Sequence, residues 1–479
     1  MDIDIYFERL GEFGRYNVIF LTLVCVFGSA VPSWQILSFV FIFYEPPHHC
    51  KPDGELNASI PLADNGGFES CVMYADDYRY NRSIDTVPCK EGWSYDVEEN
   101  EATLVTELDL VCQDSIYAAN AVSVYFAGIL FSSLVGGYLS DTFGRKRISF
   151  VSMGCGIVAG VSLTFTRNYA SFVILWFFSA VFNALVLTCF FTLIIEMFSS
   201  KRRTAAICLI GIAWSIGLCF LTPIAYKFQN WRHFGLAIHL PTILALPSWW
   251  FFVESPRWLI NKNKFLDARA AFKKIANINN ISEDKQQWIN TLQNVKSENE
   301  EVEKSKKIHT ILDMIKTPRL RKITILMAYI WFVDSMVYYG LSHNSSKIAG
   351  NRFINFLVIT VAEFPASLLA IYILPRYGRR PQLLLFQCLA ALACIIVAFV
   401  PKETAGGVSL YFLITTLSFI GKFCISLTFT IIWLFASEIY PTIIRTTGVF
   451  TCSMFARFGG IAAPYIMHLV STVPVLHLY

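Results

Sequence analysis

Four ionisable side chains lie deep inside long apolar runs of the sequence: Asp334, Glu363, Lys422 and Arg457. Arg457 lies about ten residues, or roughly 15 Å at the helical rise, into its run. A charge buried in an apolar helix is costly, so such residues are candidates for a functional site. Lysine and arginine bind carboxylates, and a carboxylate binds an ammonium group. Together the four residues predict a site for a small charged ligand.

Each of these four residues also has a structural interpretation. Arg457 can pair with Glu363 or another carboxylate and hold helices together. Lys422 can pair in the same way or extend its ammonium group towards water. Glu363 stands two residues before Pro365 and can stabilise a bent helix, and Asp334 can be a structural partner. The sequence leaves both interpretations open for every one of them.

Aromatic residues accompany these charges. Asp334 precedes Tyr338 by one helical turn, so the two share a helix face. Quaternary ammonium groups bind well over aromatic rings. The aromatic residues that we expect to line such a cavity are Trp331, Tyr338, Tyr339, Phe419 and Phe429. Because 15% of the chain is aromatic, packing or lipid contact is the alternative for each.

The elements that carry these residues are predicted to be membrane helices. The chain has 479 residues, of which 55% are hydrophobic and 15% charged. Apolar runs of about 20 residues recur, long enough to cross a bilayer as helices, and they lack the alternation of barrel strands. We predict an all-α membrane protein of about eleven spans. The spans are 16–43, 116–140, 148–166, 170–196, 205–226, 235–253, 321–341, 353–374, 382–400, 408–435 and 447–470.

The orientation follows from the basic residues of the short loops. Arginine and lysine concentrate between spans 2 and 3, 4 and 5, 8 and 9, and 10 and 11. Such loops face the cytoplasm in multi-pass proteins. We therefore expect a multi-pass protein of the plasma membrane with a cytoplasmic N-terminus and a cytoplasmic segment 254–320.

The large loop 44–115 is then extracellular. Its two glycosylation patterns place the acceptors at Asn57 and Asn81. Its four cysteines, an even number, predict disulfides in an oxidising compartment. They are Cys50, Cys71, Cys89 and Cys112, which allow three connectivities.

The segment 254–320 is polar. Its stretch 265–276 has helical spacing, with Phe265, Ala268, Ala271 or Phe272, and Ile275 on one side. We predict short amphipathic helices on the cytoplasmic face. A regulatory platform is the alternative interpretation.

A charged corner recurs in the two parts of the chain. The stretch 143–147 (FGRKR) follows the second span, and the corresponding stretch 377–381 (YGRRP) follows the eighth. Glu196 and Arg203 after the fourth span correspond to Glu438 and Arg445 after the tenth. This repeat predicts two parallel halves, 1–253 and 321–479, joined by the linker 254–320. We expect a breakable charge lock between the halves, a positive-inside anchor being the alternative. The gating residues would be Gly137, Asp141, Gly144, Arg145, Lys146, Glu196, Arg203, Glu438 and Arg445.

The spacing Gly137-x-x-x-Asp141-x-x-Gly144-Arg145-Lys146 is similar to the loop motif of major facilitator proteins. Further stretches resemble the organic cation, anion and zwitterion transporter family within that superfamily. They are 10–17 (LGEFGRYN), 46–50 (PPHHC), 106–120 (TELDLVCQDSIYAAN), 254–259 (ESPRWL), 336–366 and 436–449 (ASEIYPTIIRTTGV). The resemblance implies a major facilitator fold of two six-helix halves. The family has twelve spans, and the sequence stops at 479, so we expect the twelfth span to be missing.

The resemblance implies a secondary transporter that works by alternating access. Fixed charges of both signs favour a zwitterion such as carnitine. Arg457 and Lys422 resemble the anion and carnitine branches of the family, whereas the stretch around Asp334 is similar to the cation branch. The resemblance therefore implies organic cations or zwitterions. An organic anion transporter and a non-transporting truncated or sensor protein are the alternatives. No phosphate-binding loop is present in the sequence, so we expect no direct use of ATP. We expect no enzyme activity, cofactor, metal site or nucleic-acid partner. The partners would be a small organic ion and the lipid bilayer, with ion coupling left open.

Overall fold

The structure is a computed structural model of the 479-residue chain. It describes residues 3–11, 13–52, 56–62, 67–75, 86–281, 316–346, 350–374, 376–401, 409–440 and 445–472. Asn81 lies outside these ranges, as do the side chains of Asn57 and Arg445.

The first half consists of helices that follow the predicted apolar runs. A short helix comes first, and the first membrane span is one rod interrupted by a π-turn over Val26–Ala30. The helices are α1 (Ile3–Leu10), α2 (Arg15–Cys25), α3 (Val31–Leu37), α4 (Phe39–Ile42), α7 (Ser115–Phe143), α8 (Arg145–Leu163), α9 (Tyr169–Met197), α10 (Ser200–Lys227) and α11 (Trp231–His239). After α11 the chain continues as a 3₁₀-helix over Leu240–Trp250. Its prolines, Pro241 and Pro247, lack the backbone N–H that an α-helix requires.

The loop between α4 and α7 contains two small antiparallel sheets. They pair β1 (His48–Cys50) with β4 (Trp93–Tyr95), and β2 (Val72–Tyr74) with β3 (Thr86–Pro88). The short helices α5 (Leu56–Ser59) and α6 (Leu104–Glu107) complete it. Of the three possible cysteine connectivities, the structure has Cys50–Cys89 and Cys71–Cys112. We call the side of the molecule that carries this loop the loop face.

The linker begins with α12 (Pro256–Asn261) and α13 (Phe265–Ile278). Ala268, Ala271, Phe272 and Ile275 are buried, which confirms the predicted apolar side of α13. Their cover is α1: the Phe272 ring lies 5.9 Å from the ring of Tyr6 and 5.7 Å from that of Phe7. The N-terminal helix and the linker therefore lie on one side of the molecule, which we call the linker face.

The second half has the helices α14 (Pro318–Asn344), α15 (Arg352–Val361), α16 (Glu363–Ile373), α17 (Arg379–Phe399), α18 (Tyr411–Ile439) and α19 (Arg445–Thr472). Across the described residues, nine helices are long and apolar enough to cross a membrane. The two other predicted spans, 235–253 and 447–470, correspond to α11 with its 3₁₀ continuation and to α19.

The halves meet along two sets of helices. α7 packs on α19, and α10 packs on α15 and α16. Inside the second half α19 also packs on α14, at a distance that only glycine permits. A Cβ at Gly459 would lie 2.2 Å from the carbonyl oxygen of Phe332. Small residues at such crossings allow membrane helices to approach closely.

We expect Gly459→Ala to destabilise the protein by about 1–3 kcal/mol, because the methyl group forces α14 and α19 apart. Gly154→Ala on α8 is the matched control, since a Cβ there has nothing within 4 Å. Thermal unfolding of the purified variants, followed by tryptophan fluorescence, checks the difference. Equal unfolding temperatures for the two variants would refute the close packing.

Candidate functional site

A buried ion pair joins two helices of the second half, α16 and α18. Lys422 Nζ lies 3.1 Å from Glu363 Oε1, and the two side chains are 0% and 5% exposed. The Tyr338 hydroxyl donates a 2.6 Å hydrogen bond to the same carboxylate oxygen. Three of the predicted site residues therefore form one cluster, which we call the ion cluster.

The ammonium group of Lys422 has further partners on α14. It donates a hydrogen bond of 2.8 Å to the Ser342 hydroxyl and lies 3.4 Å from the carbonyl oxygen of Tyr338. It also lies 3.1 Å from the centroid of the Tyr338 ring, which makes a desolvated cation–π contact. The ion cluster thus already holds an ammonium group against an aromatic face and a carboxylate.

The local sequence explains how the helices present these groups. Tyr338 and Ser342 are four residues apart on α14, and so lie on one face. Glu363 begins α16, where Pro365 cannot donate to the carbonyl of Val361 and the span divides into two helices. Glu363 therefore lies at the bend of this span and also contacts Lys422. The predicted role of Glu363 at a bent helix is compatible with its ion pair.

The ion cluster touches the first half of the chain. Trp214 Nε1 on α10 donates a 3.3 Å hydrogen bond to the Tyr338 hydroxyl. The neighbouring Tyr339 ring packs 4.4 Å from the ring of Phe126 on α7. The ion cluster therefore lies at the interface between the halves, where a moving interface would act on it.

Asp334 lies apart from the ion cluster, although it shares helix α14. It is fully buried and accepts a 2.9 Å hydrogen bond from Gln387 Nε2 of α17. Trp331, one turn earlier, packs against Trp433 at 4.7 Å and Phe429 at 5.7 Å. The structure thus gives Asp334 and Trp331 partners within the second half.

Phe419 is partly buried on α18 and has no ring partner among the described residues. It precedes Lys422 by one turn, and its ring does not pack on the Tyr338 ring of the ion cluster.

Arg457 is partly buried on α19, three residues before Gly460, where α19 meets Phe126 of α7. Its charge lies within electrostatic range of the Tyr339 hydroxyl. Among the residues that the structure describes, no carboxylate pairs with it. The ion-pair partner that the structure gives Glu363 is Lys422, not Arg457.

A second charged group surrounds Arg145 at the linker face. Its guanidinium lies 2.5 Å from Asp141 Oδ1 and 3.1 Å from Glu196 Oε1, and also donates to the carbonyl of Ser140. Arg145 is buried, and α7, α8 and α9 meet at its side chain.

Glu254 of the linker joins the same region. Its Oε1 accepts the backbone N–H of Lys146 at 3.0 Å. Gly144 lies beside it with φ of 101°, and a Cβ there would lie 2.3 Å from Glu254 Oε2. Glycine is therefore required both for the left-handed backbone and for this approach. Arg257 donates to the carbonyl of Glu196, and Trp258 to that of Asp141.

The second half repeats the pair at the corresponding positions. Arg379 lies 3.1 Å from Glu438 Oε1 and follows Gly378 as Arg145 follows Gly144. Both pairs join elements of the same half. The expected charge lock between the halves is therefore not what the described residues form. These residues instead tie the helices of each half together.

The remaining predicted gating residues have other positions. A Cβ added at Gly137 would meet nothing within 4 Å, whereas one at Gly136 would approach Leu185, so the close contact belongs to Gly136 alone. Lys146 extends over the Trp249 ring at 4.3 Å. Arg203 Nε has no hydrogen-bond partner within the described ranges, and its charge lies near those of Arg257 and Asp4. Arg445 begins α19.

We expect Glu196→Gln to destabilise the protein by about 2–3 kcal/mol, because it leaves the buried Arg145 with only the exposed Asp141. Glu438→Gln is the matched variant of the second half. The Glu438 side chain is 46% exposed, against 17% for Glu196, so its loss costs about 0–1 kcal/mol. Urea or thermal unfolding of both variants in detergent checks the order. A larger loss for Glu438→Gln would contradict it.

The halves are also joined at the loop face. Arg352, at the start of α15, forms an ion pair with Glu101 of the large loop. Its guanidinium stacks 4.0 Å from the centroid of the Tyr44 ring. At the loop face an ion pair therefore joins the second half to the first. The Arg145–Glu196 and Arg379–Glu438 pairs of the linker face do not join the halves.

Several of these partners cannot be predicted from the sequence. Ser342, Trp214 and Gln387 are uncharged, and nothing in their spacing marks them. Glu254 and Arg257 lie within the stretch ESPRWL, whose charges beside a proline are the available signal. Arg379 and Glu438 both stand out as repeated charges, but their pairing requires the fold.

Comparison with known proteins gives a consistent result. The sequence profile of the Major Facilitator Superfamily matches residues 107–464. The chain is 30% identical to organic cation/carnitine transporter 2 of Homo sapiens over 98% of its length and 86% of that protein. It is 31% identical to solute carrier family 22 member 21 of Mus musculus, over the same shares. Organic cation transporter 1 of Caenorhabditis elegans is 29% identical over 100% of this chain and 83% of its own.

Solved structures match as well. The inward open conformation of the xylose transporter XylE from E. coli superposes with a TM-score of 0.61 and 14% identity, covering 94% of this chain and 89% of that one. A crystal structure of the peptide transporter POT matches with a TM-score of 0.59 and 12% identity, covering 98% and 92%. At these identities the likeness concerns the fold alone.

Proposed function

Because the chain belongs to the Major Facilitator Superfamily, and within it to solute carrier family 22, we propose that it is a secondary transporter of small organic ions. The predicted family and the predicted fold class, an all-α membrane protein of the major facilitator type, are confirmed. Relatives named for organic cations and for carnitine support the choice of organic ions as substrates.

The observation that carries the proposal is the ion cluster and its position. A pair without net charge, Lys422 with Glu363, is buried against Tyr338, whose hydroxyl also contacts the opposite half through Trp214. Both charges of a buried ion pair lose their hydration, and the attraction between them seldom exceeds that loss. A buried ion pair is therefore seldom explained by stability alone. An ion pair at the interface of two moving halves is therefore better explained by a ligand that competes for its partners.

Arg457 determines the class of substrate that we propose. Lys422 is neutralised by Glu363, whereas Arg457 has no carboxylate partner among the described residues. A substrate carboxylate can supply that partner through two parallel hydrogen bonds. An ammonium group of the same molecule would lie over the rings of Tyr338 and Tyr339, beside Glu363. The proposed substrate is therefore a zwitterion of the carnitine or betaine type.

Alternating access would follow from the uneven fastening of the halves. The Arg352–Glu101 contact joins the halves at the loop face, whereas no ion pair among the described residues joins the two halves at the linker face. We propose that a conformation open at the linker face exchanges with one open at the loop face. The basic loops favour a plasma-membrane protein with the linker face in the cytoplasm.

Uptake by proteoliposomes that contain the purified chain tests the proposal. Three radiolabelled probes, carnitine, tetraethylammonium and hippurate, represent zwitterions, cations and anions. We expect carnitine to enter fastest and its uptake to saturate. An empty liposome gives the background.

If hippurate entered fastest, the second candidate, an organic anion transporter, would be favoured. The observation that supports this candidate is that Arg457 has no carboxylate partner among the described residues. If a monodisperse, folded protein moved none of the three probes, the alternative of a non-transporting membrane protein would replace the proposal.

A further inference from the structure

A basic cleft lies at the linker face, outside the ion cluster. Its volume is about 360 Å³, at the lower end of the range of small-ligand pockets, about 300–1,000 Å³. It lies between the α7–α8 corner and the linker helices α12 and α13. The charged side chains that line it are Arg147, Lys264, Lys274, Glu254 and Asp267. We call it the linker cleft.

The three cations of the linker cleft make no direct contact with a carboxylate that would neutralise them, among the described residues. Among the described residues, none of Arg147, Lys264 and Lys274 forms an ion pair with a carboxylate. Lys274 Nζ donates 2.6 Å to the carbonyl of Trp250, and Lys264 Nζ lies 5.3 Å from the Trp258 ring. Three cations without carboxylate partners in one concave site favour a ligand with a concentrated negative charge.

The two carboxylates reduce this charge only in part. Glu254 Oε1 accepts the backbone N–H groups of Lys146 and Ser255, both at 3.0 Å, and so serves the corner around Gly144. Asp267 is exposed in the first turn of α13. Three cations against two carboxylates leave the linker cleft an excess of one positive charge.

Apolar side chains beside the cleft indicate a membrane surface. Trp250 is 76% exposed and Leu266 is 72% exposed. Trp249 is partly exposed and carries Lys146 over its ring. Tryptophan next to lysine is typical of the boundary between lipid and water. A soluble anion would leave these side chains uncovered, whereas the chains of a lipid would cover them.

We propose that the linker cleft binds the phosphate head group of an anionic membrane lipid, with Arg147, Lys264 and Lys274 around the phosphate. Anionic lipids are concentrated in the cytoplasmic leaflet, and basic pockets near helix ends bind their head groups. The bound lipid would join the corner that contains Arg145 to the linker helices.

The test titrates the purified full chain with dioctanoyl phosphatidylinositol 4,5-bisphosphate and counts bound lipid by native mass spectrometry. In Lys264→Gln/Lys274→Gln we expect the affinity to fall about tenfold or more. The matched control is Lys262→Gln/Lys273→Gln, which removes two exposed cations of the same segment that do not line the cleft. We expect its affinity to change less than about twofold.

An equal loss in the two double variants would overturn the site, because it would show attraction by net charge alone. Inositol 1,4,5-trisphosphate and inorganic phosphate carry no acyl chains. Binding of either as tightly as the lipid would overturn the choice of a lipid. Should the cleft variant unfold, the exposed Arg147→Gln alone is expected to weaken lipid binding about fivefold, and an unchanged affinity would contradict the proposal.

Discussion

Lys422→Met is expected to abolish transport, with a loss of at least about 100-fold in the uptake of carnitine. The substitution leaves Glu363 buried beside Tyr338 without its cation, and breaking a buried pair costs about 3–5 kcal/mol. The same carboxylate would then bind a substrate ammonium too tightly to release it. Uptake per folded molecule, with the amount measured by size-exclusion chromatography, checks this result.

The double variant Lys422→Met/Glu363→Gln separates folding from function. It removes both charges, so we expect part of the lost stability to return while transport stays absent. Recovery of both stability and transport would show that the pair is only structural. Normal uptake by Lys422→Met alone would contradict the assignment of the ion cluster to the site.

Arg457→Ala is expected to change the substrate preference more than the stability. Without the guanidinium, the uptake of carnitine should fall by about tenfold to 100-fold, because a charge-assisted contact to the substrate carboxylate is lost. Tetraethylammonium has no carboxylate, so its uptake should remain or increase. Parallel uptake assays of the two probes give the ratio.

Arg457→Lys is the control for this substitution. It keeps the charge but not the two parallel hydrogen bonds, so an intermediate preference is expected. An Arg457→Ala protein that carried carnitine at the unmodified rate would contradict the role of this residue. If the uptake of both probes were lost together and the Arg457→Ala protein unfolded, the role of Arg457 would be structural.

Most of the membrane helices can be predicted from the sequence, because the length and apolarity of a span are local properties. The span 235–253 is less predictable in form. Pro241 and Pro247 lack the backbone N–H of an α-helix, and the chain forms a 3₁₀-helix there. Hydropathy predicts the length of a span but not which type of helix it forms. The packing of α1 on α13 cannot be predicted from the sequence either. The apolar side of an eight-residue helix does not indicate which other helix it packs against.

The candidate site can be predicted as a set of residues, but not as pairs. Asp334, Glu363, Lys422 and Arg457 stand out because charge is rare in apolar helices. Which of them meet depends on the relative rotation of α14, α16 and α18, which one sequence does not specify. The rotation places Lys422 beside Glu363, and it places Asp334 where it accepts a hydrogen bond from Gln387.

The repeat of charges illustrates the same limit. Glu196 and Glu438 correspond by their positions after matching spans, and both form an ion pair with an arginine. Their partners, Arg145 and Arg379, begin the preceding helices of the same half, α8 and α17. A charge near a helix end indicates a side of the membrane, but the helix that it binds is set by tertiary packing.

The proposed transport mechanism requires that a water-filled path between the halves reach Arg457. Its most direct test is the reaction of Arg457→Cys with a charged, membrane-impermeant methanethiosulfonate in sealed vesicles of both orientations. Phe458→Cys, the exposed neighbour, is the control that faces away, and the unsubstituted chain gives the background of its native cysteines. We expect Arg457→Cys to react, carnitine to slow the reaction, and Phe458→Cys to stay unmodified. If Arg457→Cys reacts from neither side, the transport pathway proposed here is wrong.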